Sequence, residues 1–453
     1  MGRLFGTDGA RGVAITELTC ELAMNIGRAA AIVLTKHKKS EGKAKIMIGK
    51  DTRVSSDILE AALISGIMSV GADAVRLVVV PTPAVAYLVK HKNADAGVMI
   101  SASHNSVEYN GIKLFAGTGF KLPDEVENEI EALILDTPEL MELKNGTEVG
   151  RVTEFKDAAG LYMYHLTQTA TFGSRKLRVI ADCANGSASA TAKDLFEVLN
   201  INCTVINAEP DGTNINDNCG STHIDLLCGK VKEGGYDLGV AFDGDADRCL
   251  AVDEKGHIVD GDRLIAIISD SMKTAGTLKN DTAVVTVMSN LGFHTYMREH
   301  GIKTVCTSVG DRYVLEEMLK SGYNIGGEQS GHIIFLDHAT TGDGQLTAVQ
   351  LISLLSKSDR PLSSYNEEFA DYPQLLVNVK ITDDKKGLWD KNEAILAAIK
   401  EAETALGADG RILVRESGTE PLVRVMIEGK DAASVEKYTN MIADTVRKEF
   451  CNG

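Results

Sequence analysis

The sequence predicts an α/β protein with three α/β domains of similar size and a smaller α+β domain after them. Two observations lead to this prediction. A chain of 453 residues is too long for a single hydrophobic core. Strand-like apolar runs also alternate with segments of helical period as far as about residue 370, and beyond that point the order changes.

The first predicted domain, residues 1–150, contains three apolar runs of strand length separated by amphipathic stretches. The runs are AKIMIG (44–49), AVRLVVV (74–80) and AGVMIS (96–101), and the helical stretches lie at about 17–37, 56–70 and 123–135. Strands that alternate with helices favour a parallel sheet.

The same alternation restarts twice. Residues 151–255 contain KLRVIADC (176–183), a helical stretch after Ser187, INCTVIN (201–207) and YDLGVAFD (236–243). Residues 256–369 contain TAVVTVM (282–288), IKTVCT (302–307) and YNIGG (323–327). The similar order suggests an internal repeat, although the three stretches share no clear residue-level similarity.

The last predicted domain, residues 370–453, has a different order. We expect a strand, a helix, two strands and a closing helix, at 374–381, 388–402, 411–415, 422–429 and 432–449. This order is typical of an α+β domain rather than of βαβ units.

Composition excludes several classes of partner. The formal charge of −17 disfavours nucleic acid and anionic lipid surfaces. No apolar run reaches the roughly 18 residues that a membrane span needs. The eight cysteines show no paired or metal-ligand spacing, which predicts reduced thiols in a cytoplasmic protein.

The segment VMISASHN (98–105) ends an apolar run in small polar residues. Polar residues directly after a buried strand lie where α/β proteins place their chemistry, so Ser101 and Ser103 are candidate nucleophiles. An ordinary turn is the alternative, because serine and asparagine are turn formers.

The segment DGDADR (243–248) carries carboxylates at alternate positions, Asp243, Asp245 and Asp247. Three hard oxygen donors at one point predict a Mg²⁺ site. An EF-hand is excluded, because Arg248 stands where its loop requires glycine and both flanks look like strands. A solvated acidic turn is the remaining alternative.

The segment RESGTEPLVR (415–424) has the groups that bind a phosphate. Arg415 and Arg424 offer planar donors, and Ser417, Gly418 and Thr419 offer hydroxyls and backbone N–H groups. A β-hairpin connection with two incidental arginines is the alternative.

The segment GEQSGH (327–332) follows another strand-like stretch. Glu328 and Ser330 suit sugar hydroxyls or an amine. His332 is either a packed loop histidine or a catalytic acid.

Together with GTDGARG (6–12), these four segments occur in an order and at separations that resemble the α-D-phosphohexomutase family over the whole chain. Within the family, the FGTDG start and the GEQSGH form are similar to the bacterial branch that acts on glucosamine phosphates. Ser106 stands where the family usually has proline, and Ala10 where it often has a β-branched residue; neither removes a catalytic atom.

The resemblance implies mixed sheets in the three α/β domains, a heart-shaped arrangement of four domains around a central cleft, and an enzyme that moves a phosphoryl group within its substrate. It implies that Ser103 is held as a phosphoserine and binds one Mg²⁺ with the three aspartates. Arg11 and Arg248 would flank the transferring phosphate, with Lys113 or His104 beside it. The 415–424 segment would hold the other phosphate, while Glu328, Ser330 and His332 would contact the sugar of a glucosamine 1,6-bisphosphate intermediate.

Three rival functions stay open at this point. They are a family member that prefers glucose or mannose phosphates, a phosphatase that passes the phosphoryl group to water, and a non-catalytic sugar-phosphate sensor. The expected partner is a small sugar phosphate, and the sequence is also compatible with a homodimer.

Overall fold

The computed structural model describes residues 3–6, 9–36, 42–370, 372–407, 410–417 and 421–451. The chain divides into two compact units. The larger spans Met1–Met288 and Gly301–Glu367, and the smaller spans Ser289–His300 and Glu368–Gly453.

A six-stranded mixed sheet forms the first part of the larger unit. Its strands are β1 (Ala10–Val13), β2 (Lys45–Lys50), β3 (Asp73–Val79), β4 (Ala96–Ile100), β5 (Tyr109–Ala116) and β6 (Val152–Glu154), and its helices are α1 (Cys20–Thr35), α2 (Val54–Ser69), α3 (Thr82–His91) and α4 (Asp124–Leu135). The strand order is β1-β5-β4-β2-β3-β6, with β5 antiparallel to both of its neighbours. All residues of β4 are buried, as the apolar run predicted.

A five-stranded sheet follows in the larger unit. Its elements are α5 (Ala158–Thr167), β7 (Arg178–Asp182), α6 (Ala192–Val198), β8 (Asn202–Ile206), α7 (Asp225–Gly234), β9 (Leu238–Phe242), β10 (Cys249–Asp253) and β11 (Ile258–Val259). The order is β11-β10-β9-β7-β8; β7, β8 and β9 are parallel, and β10 is antiparallel to β9.

A four-stranded sheet completes the larger unit. The elements of this stretch of sequence are α8 (Gly261–Thr274), β12 (Thr282–Thr286), α9 (Leu291–Glu299), β13 (Lys303–Thr307), α10 (Asp311–Ser321), β14 (Ile325–Gly327), β15 (Ile333–Phe335), α11 (Gly344–Ser356) and α12 (Leu362–Asn366). Helix α9 lies in this stretch but belongs to the smaller unit. The order is β13-β12-β14-β15, and β15 is antiparallel to β14.

The three sheets share one topology. Four consecutive strands lie in the orders β5-β4-β2-β3, β10-β9-β7-β8 and β15-β14-β12-β13, so the fourth strand of each set is the antiparallel neighbour of the third. The predicted repeat is therefore present in the strand order. The Ser103, Asp243 and Glu328 segments each follow the third strand of their four-strand set, in the connection to the fourth.

The smaller unit has a three-stranded antiparallel sheet in the order β16-β18-β17, with β16 (Gln374–Lys380), α13 (Glu393–Leu406), β17 (Gly410–Glu416), β18 (Leu422–Gly429) and α14 (Ala432–Phe450). Alternate residues of β18, such as Val425, pack with Ile395 and Ile442 of the helices.

The predicted helix 388–402 was wrong at its start. Helix α13 begins at Glu393, because the Asn392 side chain accepts hydrogen bonds from the N–H groups of Ala394 and Ile395. A separate 3-10 turn precedes this cap.

Among the described residues, none of the helices is both long and apolar enough to cross a membrane.

Candidate active site

Ser103 lies in the connection between β4 and β5 and is fully buried. Its backbone has a φ of 53°, in the left-handed region that residues other than glycine rarely adopt. Its N–H donates to Ser101 Oγ at 2.9 Å, and Ser101 Oγ donates to Asp51 Oδ2 at 2.6 Å. Ser101 therefore supports the loop that presents Ser103.

The carbonyl side of the Ser103 loop is held by two further side chains. Arg53 is buried, forms an ion pair with Asp51 at 2.9 Å, and donates through Nη2 to the carbonyl oxygen of Asn105 at 2.5 Å. Asn216 Nδ2 donates to the carbonyl oxygens of Ser103 at 2.9 Å and of Asn105 at 3.0 Å. These bonds fix the loop from both sides.

The three predicted metal-binding carboxylates converge in the connection between β9 and β10. Asp243, Asp245 and Asp247 are buried, and one oxygen from each lies within 4.8 Å of the others. Ser103 Oγ donates to Asp243 Oδ2 at 2.6 Å. A Cβ on Gly244 would lie 2.5 Å from the Ser103 carbonyl oxygen, so glycine allows the two loops to approach.

The charge of this cluster suits a divalent cation. Lys113 of β5 donates to Asp245 Oδ2 at 2.7 Å and to Asp247 Oδ2 at 3.0 Å, and Thr82 Oγ1 also donates to Asp245 Oδ2 at 2.6 Å. Asp245 Oδ1 is buried without a hydrogen-bond partner in the described part of the chain. Burial and the neighbouring carboxylates raise the pKa of Asp243 well above its ordinary value. Lys113 and Arg248, whose Nε lies 3.9 Å from Asp247 Oδ1, place two cations against three carboxylates. This leaves negative charge and oxygen donors that fit Mg²⁺.

His104 is the ring that lies beside the serine. Its Nδ1 is 3.3 Å from Ser103 Oγ. Burial and then the guanidinium groups of Arg248 and Arg11 lower the pKa of His104 to about 4. The imidazole is therefore neutral near pH 7 and can accept a proton. The backbone N–H of Arg248 donates to Asp243 Oδ1 at 3.1 Å, and this bond anchors Arg248 beside the aspartates.

The turn between β14 and β15 carries the predicted sugar-contacting residues. The Glu328 N–H donates to the His332 carbonyl oxygen at 3.0 Å, and Glu328 Oε1 accepts from the Gly310 N–H at 3.2 Å. Burial raises the pKa of Glu328. Ser330 lies exposed at the tip of the turn.

The sugar turn and the metal loop are joined through their backbones. Arg248 and His332 form an antiparallel bridge, and the Cys249 N–H donates to the Gly331 carbonyl oxygen at 3.0 Å. The His332 ring is 3% exposed, with Nε2 3.5 Å from Asp311 Oδ2. The structure thus brings together Ser103, His104, Lys113, the three aspartates, Arg248 and the sugar turn within the larger unit.

Several residues that support this site were not predicted. They are Asp51, Arg53, Thr82, Asn216 and Asp311. Asp51 and Arg53 could have been found from the sequence. The polar residues Asp51, Thr52 and Arg53 directly follow the buried strand β2, just as polar residues follow β4.

In the smaller unit, Arg415 and Arg424 lie opposite each other on β17 and β18. Burial and then the charge of Arg424 lower the pKa of Arg415. Two adjacent guanidinium groups favour an anion between or beside them. Ser417 is buried and its N–H donates to the Leu422 carbonyl oxygen at 2.9 Å. The other two predicted members, Gly418 and Thr419, lie outside the described residues.

Family models cover most of the chain. Those described as phosphoglucomutase/phosphomannomutase α/β/α domains I, II and III and C-terminal domain match residues 2–141, 161–256, 260–372 and 376–445.

Individual proteins show the same relationship. A protein of Brevibacillus brevis named phosphoglucosamine mutase is 52% identical over 99% of this chain and 100% of its own length, and one of Bacillus subtilis with the same name is 51% identical over 99% of both. A crystal structure of a phosphoglucomutase/phosphomannomutase family protein from Burkholderia thailandensis has the same fold, with a TM-score of 0.82 at 22% identity, covering 98% of this chain and 97% of that one. With four family domains matched in order and half of all residues shared with full-length relatives, this chain belongs to the phosphoglucomutase/phosphomannomutase family, the α-D-phosphohexomutases.

Proposed function

We propose that the chain is a phosphoglucosamine mutase. It interconverts glucosamine 6-phosphate and glucosamine 1-phosphate through a phosphoserine at Ser103 and a glucosamine 1,6-bisphosphate intermediate, a reaction that would feed UDP-N-acetylglucosamine and cell-wall synthesis in the cytoplasm. The observation that carries the chemistry is the buried Ser103 Oγ, which lies 2.6 Å from Asp243 beside two more carboxylates. The names of relatives about half identical over their full length support the substrate.

Asp243, Asp245 and Asp247, together with a phosphate on Ser103, would hold one Mg²⁺. The ion would neutralise charge on the phosphoryl group during transfer. Lys113 donates to Asp245 and Asp247, so we assign it to balancing the charge of the aspartates.

The first half-reaction moves the phosphoryl group from the serine to the sugar. The bond between Ser103 Oγ and phosphorus breaks as the sugar O1 forms a bond to phosphorus, and the O1 proton passes to a base and from it to the leaving Ser103 Oγ. His104 suits that task, because its ring is neutral and lies 3.3 Å from Ser103 Oγ. Arg11 and Arg248 would stabilise the charge on the phosphoryl oxygens.

In the second half-reaction the intermediate has turned over. The bond between its O6 and phosphorus breaks as Ser103 Oγ forms a bond to phosphorus, and the proton of Ser103 Oγ passes through the base to the leaving O6. Glu328, Ser330 and His332 would contact the sugar in both orientations. Arg415, Ser417, Gly418, Thr419 and Arg424 would bind the phosphate that is not reacting. Such a two-ended site lets one set of catalytic groups serve both directions.

The test is Ser103→Ala in the full chain, with Ser106→Ala as the matched control, because Ser106 is an exposed serine of the same loop. We expect Ser103→Ala to lose turnover in both directions and to show no phosphate by intact mass and peptide mapping, whereas the control keeps both. More than trace activity in Ser103→Ala, or phosphate on another residue, contradicts the proposal.

A preference for glucose or mannose phosphates is the second candidate. Burial raises the pKa of Glu328, so its carboxyl group carries the negative charge less readily. That charge would attract the amino group of glucosamine, which glucose and mannose lack. Comparing kcat/KM for glucosamine, glucose and mannose phosphates decides between the two, and release of inorganic phosphate would instead indicate a phosphatase.

A further inference from the structure

A second cavity lies in the larger unit, between α3, α5 and residues 336–343. It has a volume of about 370 Å³. This volume falls within the range of small-molecule sites. None of its lining residues has a role in the proposed reaction.

One wall of this cavity is a row of aromatic rings. Tyr87 stacks on His91 at 5.1 Å and on His165 at 4.2 Å, with interplanar angles of 22° and 15°. His165 Nε2 lies 2.9 Å from the carbonyl oxygen of His338, and burial lowers the pKa of His165, so the neutral ring donates this bond. A fixed row of imidazole and phenol rings with polar edges suits a planar heteroaromatic ligand.

The lining of the cavity includes one lysine, Lys90. No hydrogen bond or ion pair to Lys90 occurs in the described ranges. Of the two carboxylates of the lining, Asp337 pairs with Lys279 at 2.5 Å. Asp343, whose pKa burial raises to about 7, accepts hydrogen bonds from Tyr162 Oη at 2.8 Å and from the N–H of Leu346 at 2.9 Å. Lys90 therefore favours an anionic group on the ligand.

The cavity lies directly behind the metal loop. Pro83 lines it, and the preceding residue, Thr82, binds Asp245 twice, through Oγ1 at 2.6 Å and through its N–H to the carbonyl oxygen at 2.9 Å. On the other wall lies Asp343, and the N–H of the residue that follows it, Gly344, donates to the Ala246 carbonyl oxygen at 3.0 Å. A ligand that shifts either wall therefore acts on the loop that carries the catalytic carboxylates.

We propose that this cavity, the α3–α5 cavity, binds an anionic heteroaromatic molecule of mononucleotide size, and that its occupancy changes the rate of the enzyme through Thr82 and Gly344. The binding step does not depend on the identity of the sugar substrate. A failure of the proposed mutase function would therefore leave the binding measurement interpretable.

Isothermal titration calorimetry on the full chain tests binding, with 5′-UMP, 5′-AMP, uridine and inorganic phosphate as separate probes. We expect at least one nucleotide to bind with a Kd below about 1 mM. Uridine and phosphate, which each lack one of the two recognised features, should bind at least about tenfold more weakly. Titrations repeated with a saturating sugar phosphate separate this site from the active site.

The variants Lys90→Ala and His165→Ala should each weaken nucleotide binding at least about tenfold. Lys320→Ala is the matched control, because Lys320, like Lys90, is an exposed lysine in the last turn of its helix but does not line the cavity. Unchanged unfolding temperatures confirm that the variants fold. Lys90→Ala should keep the basal rate, because its exposed side chain has no role in the reaction.

Three results would overturn the binding site: no saturable heat with either nucleotide up to about 5 mM, affinities unchanged in Lys90→Ala and His165→Ala, or displacement of the nucleotide by the sugar phosphate. The coupling to the active site is tested by initial rates. A change of about twofold or more at saturating nucleotide, absent in Lys90→Ala, supports it. A bound nucleotide that leaves the rate unchanged overturns it.

Discussion

The backbone of Ser103 has an unfavourable conformation. A non-glycine residue at a φ of 53° costs on the order of 1 kcal/mol or more, and it persists only where its surroundings fix it. Here the fixing comes from Ser101 on the N–H side and from Arg53 and Asn216 on the carbonyl side. The position of Oγ beside Asp243 therefore depends on residues that never touch it.

We expect Arg53→Lys to lower kcat by about 10- to 100-fold with little change in KM, because a lysine keeps the charge beside Asp51 but cannot hold the loop carbonyls in the same geometry. Steady-state kinetics and the phosphorylated fraction of Ser103 measure this. Arg178→Lys is the control, since Arg178 is exposed and stacks on Tyr236. A wild-type kcat in Arg53→Lys, or a change in KM alone, would contradict the prediction.

The residues that carry the proposed chemistry could be predicted, whereas their supports could not. Ser103 follows a buried strand, and the aspartates repeat at alternate positions, so local pattern is enough. Asn216 acts on a carbonyl oxygen of a loop more than a hundred residues earlier. No side-chain pattern marks a backbone acceptor, so only the fold identifies Asn216.

At the scale of elements, α1 and α2 pack with their backbones unusually close. A Cβ on Gly66 of α2 would overlap the carbonyl oxygen of Met24 in α1. We expect Gly66→Ala to destabilise the protein by about 1–3 kcal/mol through overpacking. Gly229→Ala is the control in α7, where a Cβ meets nothing, and should stabilise by about 0.5–1 kcal/mol. Urea unfolding measures both; equal effects would refute the packing argument.

A partly buried histidine of helix α9, His294, should make the stability of the protein depend on pH. Burial and then Arg411 lower the pKa of His294 from 6.5 to about 4. The unfolded chain therefore binds more protons between these values, and the stability present above 6.5 is lost as the pH falls toward 4.

Between about pH 7 and about pH 5, the fall in Tm should be smaller in His294→Gln than in the wild type. Thermal unfolding at the two pH values measures it, with His223→Gln, at an exposed histidine, as the control. The same fall in all three proteins would show that the pKa of His294 does not differ between the folded and the unfolded state.

The prediction of strands from the sequence succeeded where the apolar run was uninterrupted, as in β2, β3 and β4. It missed β5, because Gly111 and Lys113 interrupt the apolar run. Both have tertiary causes: a Cβ at Gly111 would lie 2.5 Å from the Ser101 carbonyl oxygen, and Lys113 points at Asp245. Helix α3 was also missed, because it is short and begins between two prolines.

For the whole molecule, the net charge of −17 includes three buried carboxylates, which form ion pairs with Lys113 and Arg248. A cation that binds only the folded state stabilises it, by about 2.7 kcal/mol at a hundredfold excess over Kd. We therefore expect Mg²⁺ to raise the Tm of the wild type and a chelator to reverse the rise.

Asp245→Asn should lose most of this response, because it removes charge from a carboxylate oxygen free to bind the ion. Asp217→Asn, an exposed aspartate outside the cluster, serves as the control. An equal Mg²⁺ response in the Asp245 and Asp217 variants would mean that the ion binds elsewhere.

The shared topology of the three sheets has a consequence for how this enzyme can evolve. Each sheet offers the same connection, between the third and fourth strands of its repeated set, and under the proposed function the three copies would have separate tasks: nucleophile, metal and sugar contact. The sugar turn is tied to its neighbours by backbone hydrogen bonds, from the N–H of Cys249 to Gly331 and from the N–H of Gly261 to Gln329. Under the proposed function, we therefore expect substitutions at Glu328 or Ser330 to alter the choice of sugar while the nucleophile and metal segments keep their backbone positions.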